Sequence, residues 1–442
     1  MKKNKTIIAL IFVLSAFSSL AQEQWSLEKC ISHAIENNLQ IKQQEATMNK
    51  SEVELNTAKW SRLPNLSGSA SHSFNFGRSL QYDNTYQSLN TQNTGLNLNT
   101  SVPLFTGLQI PNNIALSKLN LQAAVEDLNK AKEDITIQVA SMYLQVLFNE
   151  ELAEVAHTQV ELSKELLRQK EEYFKNGKSS ESEWYEAKAR LAQDQLSAVQ
   201  ADNEYRLALL DLSQLLELPS PDNFSIVSPD ADMDKYIGSI SSPTDIYSQA
   251  VMIKPSIKAA QYRLQGAEKS IKIARSAYFP QLSFGAGIGT NYYRVSGMNN
   301  NTFGTQLRDN FSQYFGFQLN IPIFNRLSTR NQVRLARIQQ NTLNWQLEDS
   351  KKALYKEIQQ AYYNAISAES RFQSSLTANE AAEASFNLIK VKYEEGKANA
   401  TEYNESRTNW MKSVSENIQA KYDYIFRTKI LDFYKGIPLT LE

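Results

Sequence analysis

The chain has 442 residues, and 46 Lys and Arg against 47 Asp and Glu leave a net charge of −1, so there is no electrostatic case for nucleic acid. Hydrophobic residues make up 42% and the mean hydropathy is −0.45. Beyond residue 22 no run of 18 apolar residues occurs, which excludes a transmembrane helix but not membrane-crossing strands, whose alternating pattern is weak.

At the N-terminus, Lys2, Lys3 and Lys5 precede an apolar run from Ile7 to Phe17, followed by Ser19-Leu20-Ala21. This layout predicts a secretory signal peptide over residues 1–21. Cys30 is the one cysteine, so an internal disulfide is impossible; it falls at an apolar position of an amphipathic segment and is expected to be buried.

From Trp25 to Trp60 the pattern is helical, with Leu27, Ile31, Ala34, Ile35, Leu39 and Ile41 on one side, and Pro64 ends it. Then the period changes to two. Leu66, Ala70, Phe74 and Phe76 alternate with serines and Asn75, and Leu96, Leu98, Thr100, Val102 and Leu104 alternate with Asn97, Asn99 and Ser101. Each run is about as long as the 9–11 residues with which a tilted strand crosses a bilayer. A polar loop from Arg78 to Thr91 joins them.

Between Pro111 and Gly177 there is no glycine or proline, and Ala131, Ile135, Val139, Met142, Val146, Ala153, Ala156 and Val160 make a heptad-like seam. Gly177 is placed to supply a left-handed helix stop, and a return helix is expected from about Ser180 to Leu218. Pro219, Pro221, Pro229 and Pro243 mark an irregular connector. A helix then leads to Pro280. Leu282, Phe284, Ala286, Ile288 and Tyr292 alternate with Ser283 and three glycines, an Asn-rich loop follows, and a fourth strand is expected from Phe311 to Ile323. From Asn325 to Glu395 a second stretch free of glycine and proline carries Leu343, Leu347, Leu354, Ile358, Ala361, Ala365, Ala368, Phe372 and Leu376 along one seam; as a helix it would be roughly 100 Å long. Gly396 stops it, and a return helix runs to about Tyr434.

The halves correspond. Val102-Pro103-Leu104-Phe105 matches Ile321-Pro322-Ile323-Phe324, and Gly177-Lys178 matches Gly396-Lys397, both at an offset of 219. The expected domains are a first repeat, 22–219, with a hairpin at 64–105 and a tip at 177; a connector, 220–242; and a second repeat, 243–442, with a hairpin at 280–324 and a tip at 396. Four strands with lipid-type faces cannot close a barrel, and open edges in hydrocarbon leave backbone groups unpaired at several kcal/mol each. Copies must therefore pool their strands. The expected fold is mainly α with membrane β, in which tandem long-helix hairpins form an α-barrel continuous with a β-barrel shared between protomers.

This duplicated order of helix, hairpin, very long helix, glycine tip and helix resembles the TolC-like outer membrane efflux protein family. Trp25-Ser26-Leu27-Glu28-Lys29-Cys30-Ile31 with Ala34 and Asn37-Asn38 is similar to that family's first-helix signature, and the Pro-Asn-Leu and Pro-Gln-Leu strand starts match its other landmarks. The resemblance implies a homotrimer in the outer membrane, with its helices in the periplasm, docked on a periplasmic adaptor (membrane fusion protein) that an inner-membrane transporter drives. It also implies a passive conduit for drugs, metals or other small molecules, with no enzymatic step and no cofactor. Two other readings stay open: the outer-membrane component of a type I polypeptide secretion system, and a periplasmic coiled-coil scaffold or adhesin.

By the same resemblance, Glu402 and Glu405 match two acidic residues ringing the family's closed aperture, and Glu183 and Glu186 are their first-half counterparts. Such a ring favours cations and is able to bind a divalent ion; two ordinary glutamates on a solvated helix face are the plain alternative. Tyr393 matches a tyrosine that tethers the closed tip, but Ala398 stands where the family usually has a basic partner. Gly177, Lys178, Gly396 and Lys397 form the expected adaptor-docking tips. Phe74, Phe76, Tyr292, Tyr293, Phe311 and Tyr314 fit interfacial girdles. No catalytic set stands out; His33, His72 and His157 lack metal-ligand spacing, and the alternating glycines from Gly285 to Gly289 open no helix, as a phosphate loop would.

Overall fold

The computed structural model of the protein describes residues 23–80, 84–220, 224–228 and 241–440. The expected signal peptide and most of the expected connector lie outside the described residues. In chain order the elements begin with β1 (Glu23–Trp25), α1 (Leu27–Asn37), α2 (Leu39–Trp60), β2 (Asn65–Asn75), β3 (Arg78–Leu80), β4 (Tyr86–Ser88) and β5 (Thr91–Phe105). The first long helix, α3 (Gln109–Lys175), and its return helix, α4 (Glu181–Leu215), follow, then β6 (Phe224–Ile226), α5 (Pro243–Ile253) and α6 (Pro255–Ser276). The rest is β7 (Gln281–Val295), α7 (Phe303–Asp309), β8 (Ser312–Asn320), α8 (Ser328–Glu394) and α9 (Ala400–Tyr434). Among the described residues no helix is long and apolar enough to cross a membrane.

The chain divides into two compact units. Among the described residues, one takes those that fall within Met1–Ala46, Glu126–Lys258 and Asp349–Glu442; the other takes those within Thr47–Val125 and Ala259–Glu348.

The first unit is helical. Its core takes Ile135, Val139, Val146 and Leu147 from α3, all 1% exposed or less, and burying each stabilises by about 1.5–3 kcal/mol. Leu354, Ile358, Ala365, Ala368 and Phe372 of α8 are likewise buried. Both seams drift from their expected lines: Met142 is 39% exposed while Tyr143 beside it is buried, and Leu376 is 40% exposed. Tyr143 is buried because its hydroxyl has a partner, donating to Val227 O (2.6 Å), with Trp25 O also close at 3.1 Å. Those carbonyls flank a two-stranded parallel pair, β1 with β6, that the period-two pattern did not reveal because each strand is three residues long. Cys30 is fully buried as expected, and burial pushes its thiol up to about 12.

The expected single helix from Trp25 to Trp60 is two helices. Asn38 turns out of the helical region (φ −59°, ψ 131°), its side chain donating to Leu215 O (3.1 Å) and accepting from Gln40 N (2.9 Å). A partner distant in sequence thus replaces local helical bonding. Similarly, the helix expected before Pro280 is split by Pro255 into α5 and α6.

The second unit holds a four-stranded antiparallel sheet in the order β2-β5-β7-β8. Register sorts its side chains onto two faces. Asn99 lies opposite Ser67 and Gly287, and Gly287 opposite Tyr314; one residue along, Thr100 lies opposite Leu66 and Ala286, and Ala286 opposite Phe315. Alternating rungs therefore form one polar face and one apolar face, and Phe315 and Phe317 on the latter are 78% and 70% exposed. A Cβ at Gly287 would stand 2.5 Å from Asn99 Oδ1 and 2.7 Å from Tyr314 Cε1, so this glycine makes room for the asparagine and the ring. Tyr314, expected in an interfacial girdle, instead lies on the polar face, 3.2 Å from Asn99 Oδ1. The fourth strand stops at Asn320, short of Ile323, and the Asn-rich loop before it contains the helix α7. The loop from Arg78 to Thr91 carries the small hairpin β3-β4. Neither outer edge of the sheet, on β2 or β8, has a strand partner among the described residues.

Candidate functional site: the two helix tips

Each long helix ends in the same local device. At the first tip Gly177 takes φ +69°, Gly177 N bonds Phe174 O (3.0 Å) and Lys178 N bonds Tyr173 O (2.7 Å). At the second, Gly396 takes φ +73°, Gly396 N bonds Tyr393 O (3.0 Å) and Lys397 N bonds Lys392 O (2.7 Å). The left-handed glycine lets two end carbonyls be satisfied before the chain turns back. A Cβ at either glycine meets nothing within 4 Å, so the tips are open surface. The return helices start from different caps. Ser180 accepts from Glu183 N (3.2 Å), whereas Asn399 and Glu402 form a reciprocal capping box (2.9 and 3.1 Å).

Stacked aromatics stiffen both tips. Phe174 stacks on Trp184 (5.7 Å, 4°), and at the equivalent positions Tyr393 stacks on Tyr403 (4.8 Å, 23°). In the second half the column continues through Phe386, which contacts Tyr403 and stacks on Trp410. The sequence signal was available: an aromatic three residues before and seven after each tip glycine.

The four glutamates are in unlike states. Glu183 accepts from Lys170 Nζ and Ser179 Oγ, both at 2.8 Å, and these bonds hold its carboxyl below the usual range. Glu402 is engaged by its capping box. Glu186 accepts from Asn404 Nδ2 (3.2 Å), joining α4 to α9. Glu405 is exposed and has no hydrogen bond or ion pair among the described residues. Tyr393 does have a basic partner, although Ala398 is not one: Lys170 Nζ lies 4.6 Å from its ring centre. Burial would lower the Lys170 pKa, but hydrogen bonds to Glu183 and Tyr393 outweigh it and the pKa is raised. One lysine on α3 thus clasps α4 and the end of α8.

Next to this clasp is a buried polar hub that sequence reasoning missed. Arg407 of α9 is 0% exposed. Its Nε donates to Gln159 Oε1 (2.8 Å), Nη1 to Ser163 Oγ (2.8 Å), and Nη2 to Gln159 O and Asp194 Oδ2 (both 2.9 Å). Ser163 also donates to Asp194, and Arg190 lies 3.3 Å from the other Asp194 oxygen. Burial pulls the Arg407 pKa down, opposed by Asp194. Three helices are pinned by one guanidinium.

Two features define the class of protein: a sheet with one apolar and one polar face and two open edges, and pairs of very long helices ending in glycine tips. They are the parts of a membrane channel. The chain matches the family model for outer membrane efflux proteins over residues 30–217 and 246–430, and it belongs to that family. It is 25% identical over 370 residues to the cation efflux system protein CusC of Escherichia coli O157:H7, covering 78% of this chain and 73% of that protein. It is 21% identical over 339 residues to the probable outer membrane lipoprotein SilC of Salmonella typhimurium, covering 75% and 68%. Among solved structures, one of CusC superposes with a TM-score of 0.76 at 18% identity, covering 93% of this chain and 92% of that one. The CmeC outer membrane channel of Campylobacter jejuni gives 0.75 at 20% identity over 94% and 87%. The fold is therefore the TolC-like one, and the protein is an efflux channel of the outer membrane. Its family is one of conduits rather than of enzymes.

Proposed function

We propose that the protein is the passive exit duct of a tripartite efflux system, carrying drugs, metals or other toxic small molecules handed on by a periplasmic adaptor and an inner-membrane pump. The observation that carries this reading is the sheet. Its three antiparallel pairings make the open edges β2 and β8 run in opposite directions, so β8 of one copy is oriented to pair antiparallel with β2 of the next. Four strands from each of three copies give twelve, enough for a wet lumen lined by the polar face. The equal lengths of α3 and α8, 67 residues each, and of α4 and α9, 35 each, support reading the chain as the tandem repeat 22–219 and 243–442.

At the mouth we assign ion preference to the exposed carboxylates Glu186 and Glu405, with Glu402 and Glu183 held in their caps and clasp. Lys170 takes the closing role that Ala398 cannot, tethering Tyr393 to Glu183. The open turns at Gly177-Lys178 and Gly396-Lys397 are the adaptor-facing surface. Reconstitution in planar bilayers tests the duct: discrete channel currents are expected, and a pure protein that never conducts counts against it. Replacing Glu186 and Glu405 together by Ala should weaken cation preference, whereas Glu402→Ala, which removes half of a capping box, should leave it largely unchanged. Unchanged ion selectivity would remove the mouth assignment.

A further inference from the structure

The strands of the sheet are unequal. β7 runs to Val295, but β8 pairs with it only as far as Ser312 opposite Gly289. Beyond that point β7 keeps β5 on one side, and its other edge meets side chains instead of a strand. At every second residue an amide occupies that edge. Asn310 Nδ2 donates to Asn291 O (2.7 Å). Gln306 accepts from Tyr293 N and donates to Tyr293 O, both at 2.9 Å. Asn300 accepts from Val295 N (2.9 Å) and donates to Val295 O (2.8 Å). A carboxamide carries the same donor and acceptor as a peptide group, so Gln306 and Asn300 each stand in for one residue of a partner strand, and Asn310 supplies the donor half of one, without offering a strand that can continue. The helix α7 holds them in place: Thr290 Oγ1 donates to Leu307 O (2.6 Å), and Phe303 packs edge-on against Tyr292 (5.0 Å).

Resting on the shared-barrel reading, we propose that Asn300, Gln306 and Asn310 form an amide ladder that ends the sheet at Gly289 and Ser312 and thereby fixes the register in which β8 accepts β2 of a second copy. A slip by one residue would exchange the two faces and is penalised by the lipid. A slip by two keeps the faces and needs another barrier. With the β7 edge open past Gly289, β8 has room to ride up by two residues and shift the joint with the next copy. The occupied edge denies that register.

The test is cysteine cross-linking of the full-length protein in membranes. Gln313→Cys is combined in turn with Leu66→Cys, Gly68→Cys, Ala70→Cys and His72→Cys, since a disulfide needs Cα atoms about 4.4–6.8 Å apart and so reports a single register. With the ladder intact, one β2 position should dominate. With Asn300→Leu and Gln306→Met, which keep bulk and lose the four hydrogen bonds to β7 together with those to Met298 O and Asn301 O, the cross-link should spread to a position two residues away, its share rising on the order of tenfold. Asn300→Asp with Gln306→Glu keeps the accepted bonds and loses the donated ones, so it should spread less; it covers the case in which the first pair fails to assemble. One unchanged position in either assembled variant overturns the proposal. Absence of any β8–β2 cross-link with the ladder intact overturns the shared-barrel reading and this proposal with it.

Discussion

The long helices of the two halves have the same lengths and different chemistry. At the offset of 219 that matches the tips, α3 and α8 agree to the residue in length, as do α4 and α9, and each tip glycine sits in the same left-handed turn. The side chains around those turns diverge. Arg407 is fully buried among Gln159, Ser163 and Asp194, whereas Lys188 at the equivalent position is exposed, its ammonium 5.6 Å from the Trp184 ring centre. Glu402 closes a capping box, while Glu183 binds a lysine. Equal backbone geometry in both halves is what the proposed shared tube would require; the asymmetric chemistry ties one half to the other within a copy.

Replacements at matched positions break or sharpen this comparison. Arg407→Leu should have the largest effect. It strips the charge partner from a buried carboxylate and should cost about 3 kcal/mol, with Arg190 still compensating part of it, seen as a lower unfolding midpoint of the detergent-solubilised protein. Lys188→Leu should cost less than about 1 kcal/mol by the same assay. Similar losses at the two positions would refute the asymmetry.

Gly177→Ala and Gly396→Ala should behave alike. Neither Cβ meets an atom, so each bears only the strain of a left-handed alanine, about 1 kcal/mol. A large difference between them would show that one turn is held by something besides its backbone. Gly177→Pro or Gly396→Pro should disturb adaptor-dependent export while leaving the oligomer in the membrane, and normal export would count against the docking assignment.

The smallest effect concerns the clasp. Because Glu183 has a lowered folded pKa, its contribution is present above the ordinary glutamate value of 4.5 and is lost as pH falls through the lowered one. Lys170 works in the opposite sense: its raised pKa gives stability that is complete below 10.5 and fades as pH rises past the raised value. With 42% of the Glu183 side chain exposed, screening keeps the acid arm to about 1 kcal/mol or less. Lys170→Met should flatten the acid limb of stability against pH; an unchanged limb would mean the bond does not hold in solution.

The long helices, the hairpins and both tips were legible because their signals are local: a span without glycine or proline, an alternation, a glycine after a periodic run. What escaped depends on partners far along the chain. Asn38 breaks a helix by reaching Leu215, and Arg407 finds Gln159 some 248 residues away. Lys170 was invisible as the partner of Tyr393 because nothing in the spacing says which α3 residue faces α8. The Asn-rich loop looked merely polar, since composition does not reveal that three of its amides bond along a strand edge.

The most direct test of the central claim is the native mass of the protein extracted in mild detergent. Three mature chains per particle are predicted, because the open β2 and β8 edges must find each other in neighbouring copies. A folded monomer that stays in water and ignores lipid would contradict it.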